Sequence, residues 1–142
     1  MDYRRFENTY IVRLDPGEEI VEQVKLLAQK EQIKLASVQG LGALNELTVG
    51  VFDIKKKEFL PNHFEGLYEV TALTGTIDSM NGEVYCHLHM SAGDRNGHVV
   101  GGHLSRAVIS ATGELVITVI PGSIDREYSP EIGLNLLKLR TK

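Results

Sequence analysis

The chain has 142 residues, of which 42% are apolar and 24% charged, with a formal net charge of −4 and a pI near 5.7. That length suits one domain, taken as residues 1–142, with enough chain to bury a core unaided. The acidic balance opposes general affinity for nucleic acid, which needs clustered Lys and Arg. The single cysteine excludes an internal disulfide and suits a reducing compartment. No apolar run approaches the ~20 residues of a membrane span. The opening Met1-Asp2-Tyr3-Arg4-Arg5-Phe6-Glu7 lacks the apolar stretch of a signal peptide. A cytoplasmic protein without membrane segments is the expectation.

Tyr3 to Leu14 reads as one strand, with Tyr10, Val12 and Leu14 on one face. Asp15-Pro16-Gly17-Glu18 then opens a helix: Asp15 as cap, Pro16 at the first position, and Glu18 reaching back as in a capping box. Ile20, Val24, Leu27 and Ala28 make one apolar stripe, and the helix runs to about Gln32. Leu35 to Val38 is a short strand ending in Gln39-Gly40-Leu41-Gly42. These glycines suit tight backbone packing or a bulge. A phosphate loop is disfavoured, because Asn45 stands in place of a third glycine and no helical run follows.

Glu46 to Asp53 is the next strand, and Lys55 to Leu60 returns as its hairpin partner. The basic run Lys55-Lys56-Lys57 reads as a solvated turn or strand edge. Pro61-Asn62-His63 is expected to be a turn, with His63 on the surface. Leu67 to Ile77 is a long strand, followed by the hairpin signal Asn81-Gly82 and an antiparallel strand from Glu83 to Ser91. Ala92 to Gly97 is a polar loop. Ala107 to Ser110 and Glu114 to Ile120 are two strands or one long bent strand. Pro121-Gly122-Ser123 is a turn, Asp125 to Pro130 a polar loop, and Leu134 to Arg140 a last strand. The sum is an α+β fold: a mostly antiparallel β-sheet with one main helix.

Four of the five histidines lie between His87 and His103. Alternation along a strand puts His87 and His89 on the same face and sends Cys86, Leu88 and Met90 to the other. Cys86 is thereby removed from any ligand set and reads as a small buried apolar residue. Gly101 and Gly102 let backbone come close to a neighbour, so a returning strand can bring His103 to the pair. Three neutral imidazoles with an open fourth position describe a zinc site of the catalytic or ligand-binding type. His98 stays open among three roles: a fourth ligand, a group bracing a ligating imidazole, or a plain surface histidine.

Gly66-Leu67-Tyr68-Glu69-Val70, Leu73-Thr74-Gly75, His87-Leu88-His89 and Val99-Val100-Gly101-Gly102-His103-Leu104, in that order, resemble the PPC domain, the plants-and-prokaryotes conserved domain. Gly17-Glu18-Glu19-Ile20 and Gly40-Leu41-Gly42-Ala43-Leu44 extend the resemblance over nearly the whole chain. The resemblance implies an α+β fold that assembles as a homotrimer. It also implies that the residues matching His87, His89 and His103 bind a metal, typically zinc. In plants the domain is joined to AT-hook motifs and mediates protein association, and prokaryotic members are often labelled DNA-binding. This chain has no Arg-Gly-Arg-Pro segment and no basic arm for a minor groove. Ser105-Arg106-Ala107 also departs from the family, which often carries a glycine there. A cupin barrel also uses His-x-His, but no glutamate follows His89 closely and no histidine follows Pro121-Gly122-Ser123.

These residues and the resemblance are compatible with three functions. The first is a metal-dependent enzyme or small-molecule binder acting through Lewis-acid activation, with the reaction itself left open. There Glu69 is a candidate base or bracing carboxylate, against the plainer reading of a rim glutamate. Arg106 and Asp94 are candidates to contact an anion or orient a histidine, against the plainer reading of surface charges. The second is a DNA-associated regulatory or assembly module. In the third, the metal serves only to hold the trimer together.

Overall fold

The computed structural model describes residues 1–139; Arg140, the expected end of the last strand, lies outside them. The element order is β1 (Asp2–Phe6), β2 (Thr9–Leu14), α1 (Ile20–Lys30), β3 (Ala36–Asp53), β4 (Glu58–Met80), β5 (Glu83–Asp94), β6 (Val99–Val119), β7 (Arg126–Ser129) and β8 (Leu134–Leu137). β1 to β6 form one antiparallel sheet in the order β1-β2-β6-β3-β4-β5, and β7 pairs with β8. The expected α+β architecture is present. Among the described residues no helix is long and apolar enough to cross a membrane.

The feature that positions the site is an extra pairing. β6 also pairs with β5, so β6, β3, β4 and β5 close a circuit. Three of these strands run 18, 23 and 21 residues, far beyond the usual ~5–6. They curl because register shifts interrupt the ladders between Gly40 and Gly42, between Leu44 and Glu46, and between Val70 and Ala72. Each bulge adds local bend and twist. The glycines at 40 and 42 thus serve the bulge expected of them, and the strands expected at 35–38 and 46–53 merge into β3, which starts at Ala36. Ala107–Ser110 and Glu114–Ile120 are likewise one bent strand.

α1 buries Ile20, Val24, Leu27 and Ala28, the expected stripe, against β5 and β6. Its start differs from expectation. Glu18 does accept from the Asp15 backbone N–H at 2.8 Å, as a capping box requires. Gly17 at φ +88° then diverts the chain, its N–H donates to the Ile109 carbonyl, and Glu19 becomes the cap. The Glu19 carboxylate accepts from Glu22 N–H at 2.7 Å and from Ala107 N–H at 2.8 Å, which ties the helix start to β6.

Four other expectations differ from the structure. Ala92–Gly97 is loop only after Asp94, because Ala92, Gly93 and Asp94 extend β5 and pair with β4. Tyr3–Leu14 is a hairpin that turns at Glu7-Asn8, where Glu7 takes φ +52°. Pro61-Asn62-His63 is strand, paired with Gly50, Val49 and Thr48. Proline is tolerated there because β5 pairs with β4 only from Tyr68 onward, leaving Pro61 on an edge. Asp125–Pro130 contains β7 rather than a loop alone. The Asn81-Gly82 turn is as expected, with φ values of +53° and +83°.

Candidate metal centre

β5 alternates cleanly. Leu88 and Met90 are buried in the core, at 1% and 3% exposure. Cys86 packs beside them, and burial pushes its thiol up to about 11. His87 and His89 therefore take the opposite face. β6 delivers His103 as the direct register partner of His89. The three ring centroids stand 5.2, 5.2 and 5.5 Å apart. One ring nitrogen from each lies within 4.8 Å of the other two.

Glycine makes this approach possible. A side chain on Gly102, at φ +153°, would place its Cβ 2.4 Å from the Gly50 carbonyl oxygen. Gly50 is the β3 register partner of His103, so β3 and β6 touch backbone to backbone at that point. On the other side, a Cβ at Gly75 would lie 2.0 Å from the His87 carbonyl oxygen.

The electrostatics favour neutral rings. His87 and His103 are half-buried, and both titrate below the ordinary imidazole value. Desolvation is the main cause for each. His87 is further lowered by His103, Arg126 and His89, and His103 by His89. A neutral imidazole keeps a lone pair for a cation. Zinc–nitrogen bonds of about 2.0–2.1 Å require a modest inward turn of the rings, which exposed His89 is free to make. The donor set fits a borderline-soft divalent ion.

Beneath the triad lies a buried ion pair. Arg126 on β7 donates from Nε and Nη2 to the two Asp78 carboxylate oxygens at 2.6 and 2.8 Å, and from Nη1 to the Asn135 carbonyl at 2.9 Å. The side chains are 5% and 0% exposed. Thr76 donates its hydroxyl to Asp78 at 2.9 Å. Tyr85, two residues before His87, lies under the guanidinium at 4.5 Å from its ring centroid. A cleft of about 980 Å³ opens over the triad, walled by the β3–β4 arm with Phe52 and Phe59 and by β8. Phe59 meets His103 edge-on at 5.5 Å.

The other candidates lie elsewhere. Glu69 pairs with Gly93 and Ala43 and lines a separate cavity of about 290 Å³. His98 is 81% exposed and faces Asp94 at 3.4 Å. Among the described residues neither is hydrogen-bonded to the triad. Arg106 is paired with Glu46 at 2.7 Å, and Asp94 holds the loop by accepting from Asn96 and His98 N–H groups. His63 meets Thr48 at 2.9 Å.

Asp78, Tyr85, Arg126 and the cleft walls escaped the sequence reading. Asp78 carried a signal: it is an acid within the β-branched run Thr74–Ser79. Arg126 carried none, since its partner is 48 residues away.

The comparisons fit this geometry. A candidate DNA-binding protein from Bacteroides thetaiotaomicron is 35% identical, with a TM-score of 0.94 over 96% of each chain. A metal-containing protein from Archaeoglobus fulgidus is 26% identical, with a TM-score of 0.85 over 96% of each chain. The bifunctional protein GlmU of a Synechococcus strain is 28% identical over 129 residues, and the chain spans 19% of its length. The model of the Plants and Prokaryotes Conserved (PCC) domain matches residues 1–121, which include the closed circuit of strands and all three clustered histidines. With the family model matching residues 1–121, the chain belongs to the PCC domain family.

Proposed function

We propose that this protein binds a divalent metal, zinc foremost, through His87, His89 and His103, and that it works as a homotrimer whose open metal position takes up or activates a small molecule. The observation that carries the reading is the convergence of three ring nitrogens within 4.8 Å at the floor of a large cleft. The description of the Archaeoglobus relative as metal-containing supports it. Exposed apolar side chains on β3, β4 and β6, among them Leu41, Leu67 and Val99, supply surface for an assembly to bury.

In this reading His87 and His103 bind as neutral donors, and the Asp78–Arg126 pair braces the strand that carries His87. A bound cation would supply Lewis-acid polarisation of an oxygen ligand. The test is zinc content per chain after equilibration and desalting. One zinc per chain is expected for the wild type and none for the His87→Ala/His89→Ala double variant; a wild type that retains no zinc overturns the proposal. Sizing the trimer before and after chelation then separates an open functional site from a purely architectural one. Loss of assembly assigns the metal to holding the subunits together.

A DNA-associated role is the second reading, motivated by the description of the Bacteroides relative. The net charge of −4 opposes it. Salt-titrated binding to duplex DNA decides: specific binding that falls steeply with salt would establish it.

A further inference from the structure

We infer that the cleft over the triad is a binding site for a small monocarboxylate with a compact apolar body, the carboxylate meeting the metal and the body lying between the β3–β4 arm and β8. The inference rests on the metal reading and deepens it.

The charge of the site points to an anionic ligand. Three neutral imidazoles leave a divalent cation with its full double charge. Among the described residues no Asp or Glu lines the cleft. The nearby acid, Asp78, is spent on Arg126 and Thr76. No carboxylate of the chain is placed to balance the ion, which favours a ligand that brings a negative charge.

The cleft offers little positive charge beyond the metal position. Arg126 is the one cationic side chain among the described lining residues. Its Nε and Nη2 are committed to Asp78 and its Nη1 to the Asn135 carbonyl. A nucleoside polyphosphate carries more negative charge than one divalent cation offsets and would find no further positive partner. One carboxylate needs none.

The walls give the rest. Phe52 and Phe59 face the cleft from one side, and Leu134, Leu136 and Leu137 from the other. The three leucines remain 37–40% exposed, so they offer apolar surface for a ligand to cover. Two hydroxyls flank the triad. Both Tyr85 and Ser105 line the cleft; Tyr85, two residues before His87, reaches the histidine face by strand alternation, and Ser105 sits at the β6 bulge between Leu104 and Arg106. Asn135 Nδ2 donates to the Tyr85 oxygen at 3.5 Å, which leaves the Tyr85 proton free to position a carboxylate oxygen.

The experiment uses the full chain loaded with cobalt(II), whose visible spectrum reports its ligands. Cobalt content is measured first; a protein that takes up none overturns the metal reading and this inference with it. The loaded protein is then titrated with 3-phenylpropanoate, its uncharged amide, acetate and 2-phenylethyl phosphate. 3-Phenylpropanoate is expected to shift the spectrum at concentrations about tenfold or more below acetate, and the amide to leave it unchanged. Phe52→Ala and Leu136→Ala should weaken 3-phenylpropanoate about tenfold while leaving acetate binding and cobalt content unchanged. Tyr85→Phe should weaken both carboxylates alike. Equal binding of 3-phenylpropanoate and acetate, a response to the amide, or tighter binding of the phosphate ester would each overturn the inference while leaving the metal site standing.

Discussion

His89 and His103 sit opposite each other in the β5–β6 ladder, with ring centroids 5.5 Å apart, although 14 positions separate them in the chain. Their meeting depends on the closure of the strand circuit, and His87 joins them from the same face of β5. A ligand held by two strands should fasten those strands together. Saturating zinc at 100 times its dissociation constant should stabilise the fold by about 2.7 kcal/mol, read as a rise in thermal midpoint. His103→Ala should abolish that rise while changing the metal-free midpoint little. An unchanged rise in His103→Ala would separate this residue from the site.

Gly102 is where β6 meets β3. An alanine there would drive its Cβ against the Gly50 carbonyl at 2.4 Å, on a backbone already at φ +153°. Gly102→Ala is expected to cost about 1–3 kcal/mol in denaturant unfolding and to weaken zinc by about tenfold or more through displacement of His103. Wild-type stability together with wild-type zinc affinity would show that the contact yields without effect.

The Asp78–Arg126 pair is buried, and neither partner has another charge to fall back on among the described residues. Removing one side strands the other. Asp78→Ala and Arg126→Ala should each destabilise by roughly 3–5 kcal/mol, and an apolar double replacement, Asp78→Leu/Arg126→Met, should recover much of the loss. Chemical denaturation of the three variants measures this directly. A double variant as unstable as either single one would contradict it.

The metal-free protein should lose stability on acidification. Burial first, and then repulsion from His103, Arg126 and His89 on His87 and from His89 on His103, hold both below the ordinary imidazole value in the folded state. The unfolded chain, with imidazoles near 6.5, therefore binds more protons than the folded one as pH falls into that range. Stability then rises with pH through the window and is fully present above it. Urea midpoints at about pH 5.5 and 7.5 should differ more for the wild type than for His87→Gln. Equal differences would mean that His87 titrates normally.

What could be read from the residues was local. The stripe Ile20, Val24, Leu27, Ala28 needs only helical spacing, and Asn81-Gly82 needs only turn chemistry. The His87–His89 pair follows from strand alternation. What escaped was set by distant partners. Glu19 displaced Asp15 as helix cap because β6 offered it the Ala107 N–H. Pro61 could be strand because its outer edge is unpaired. Arg126 reads as a loop residue until Asp78 is placed beside it. The cleft walls come from two hairpins whose tips meet where Lys57 donates to the Pro130 carbonyl at 2.5 Å, a contact across 73 residues with no local signature.

Anomalous diffraction at the zinc edge, from crystals of the zinc-equilibrated protein, locates the ion directly. One strong peak per chain is expected, bonded to a nitrogen of each of His87, His89 and His103, with at least one further coordination position facing the cleft. Zinc found only at other residues, or three imidazoles turned away from a common centre, would contradict the three-histidine site.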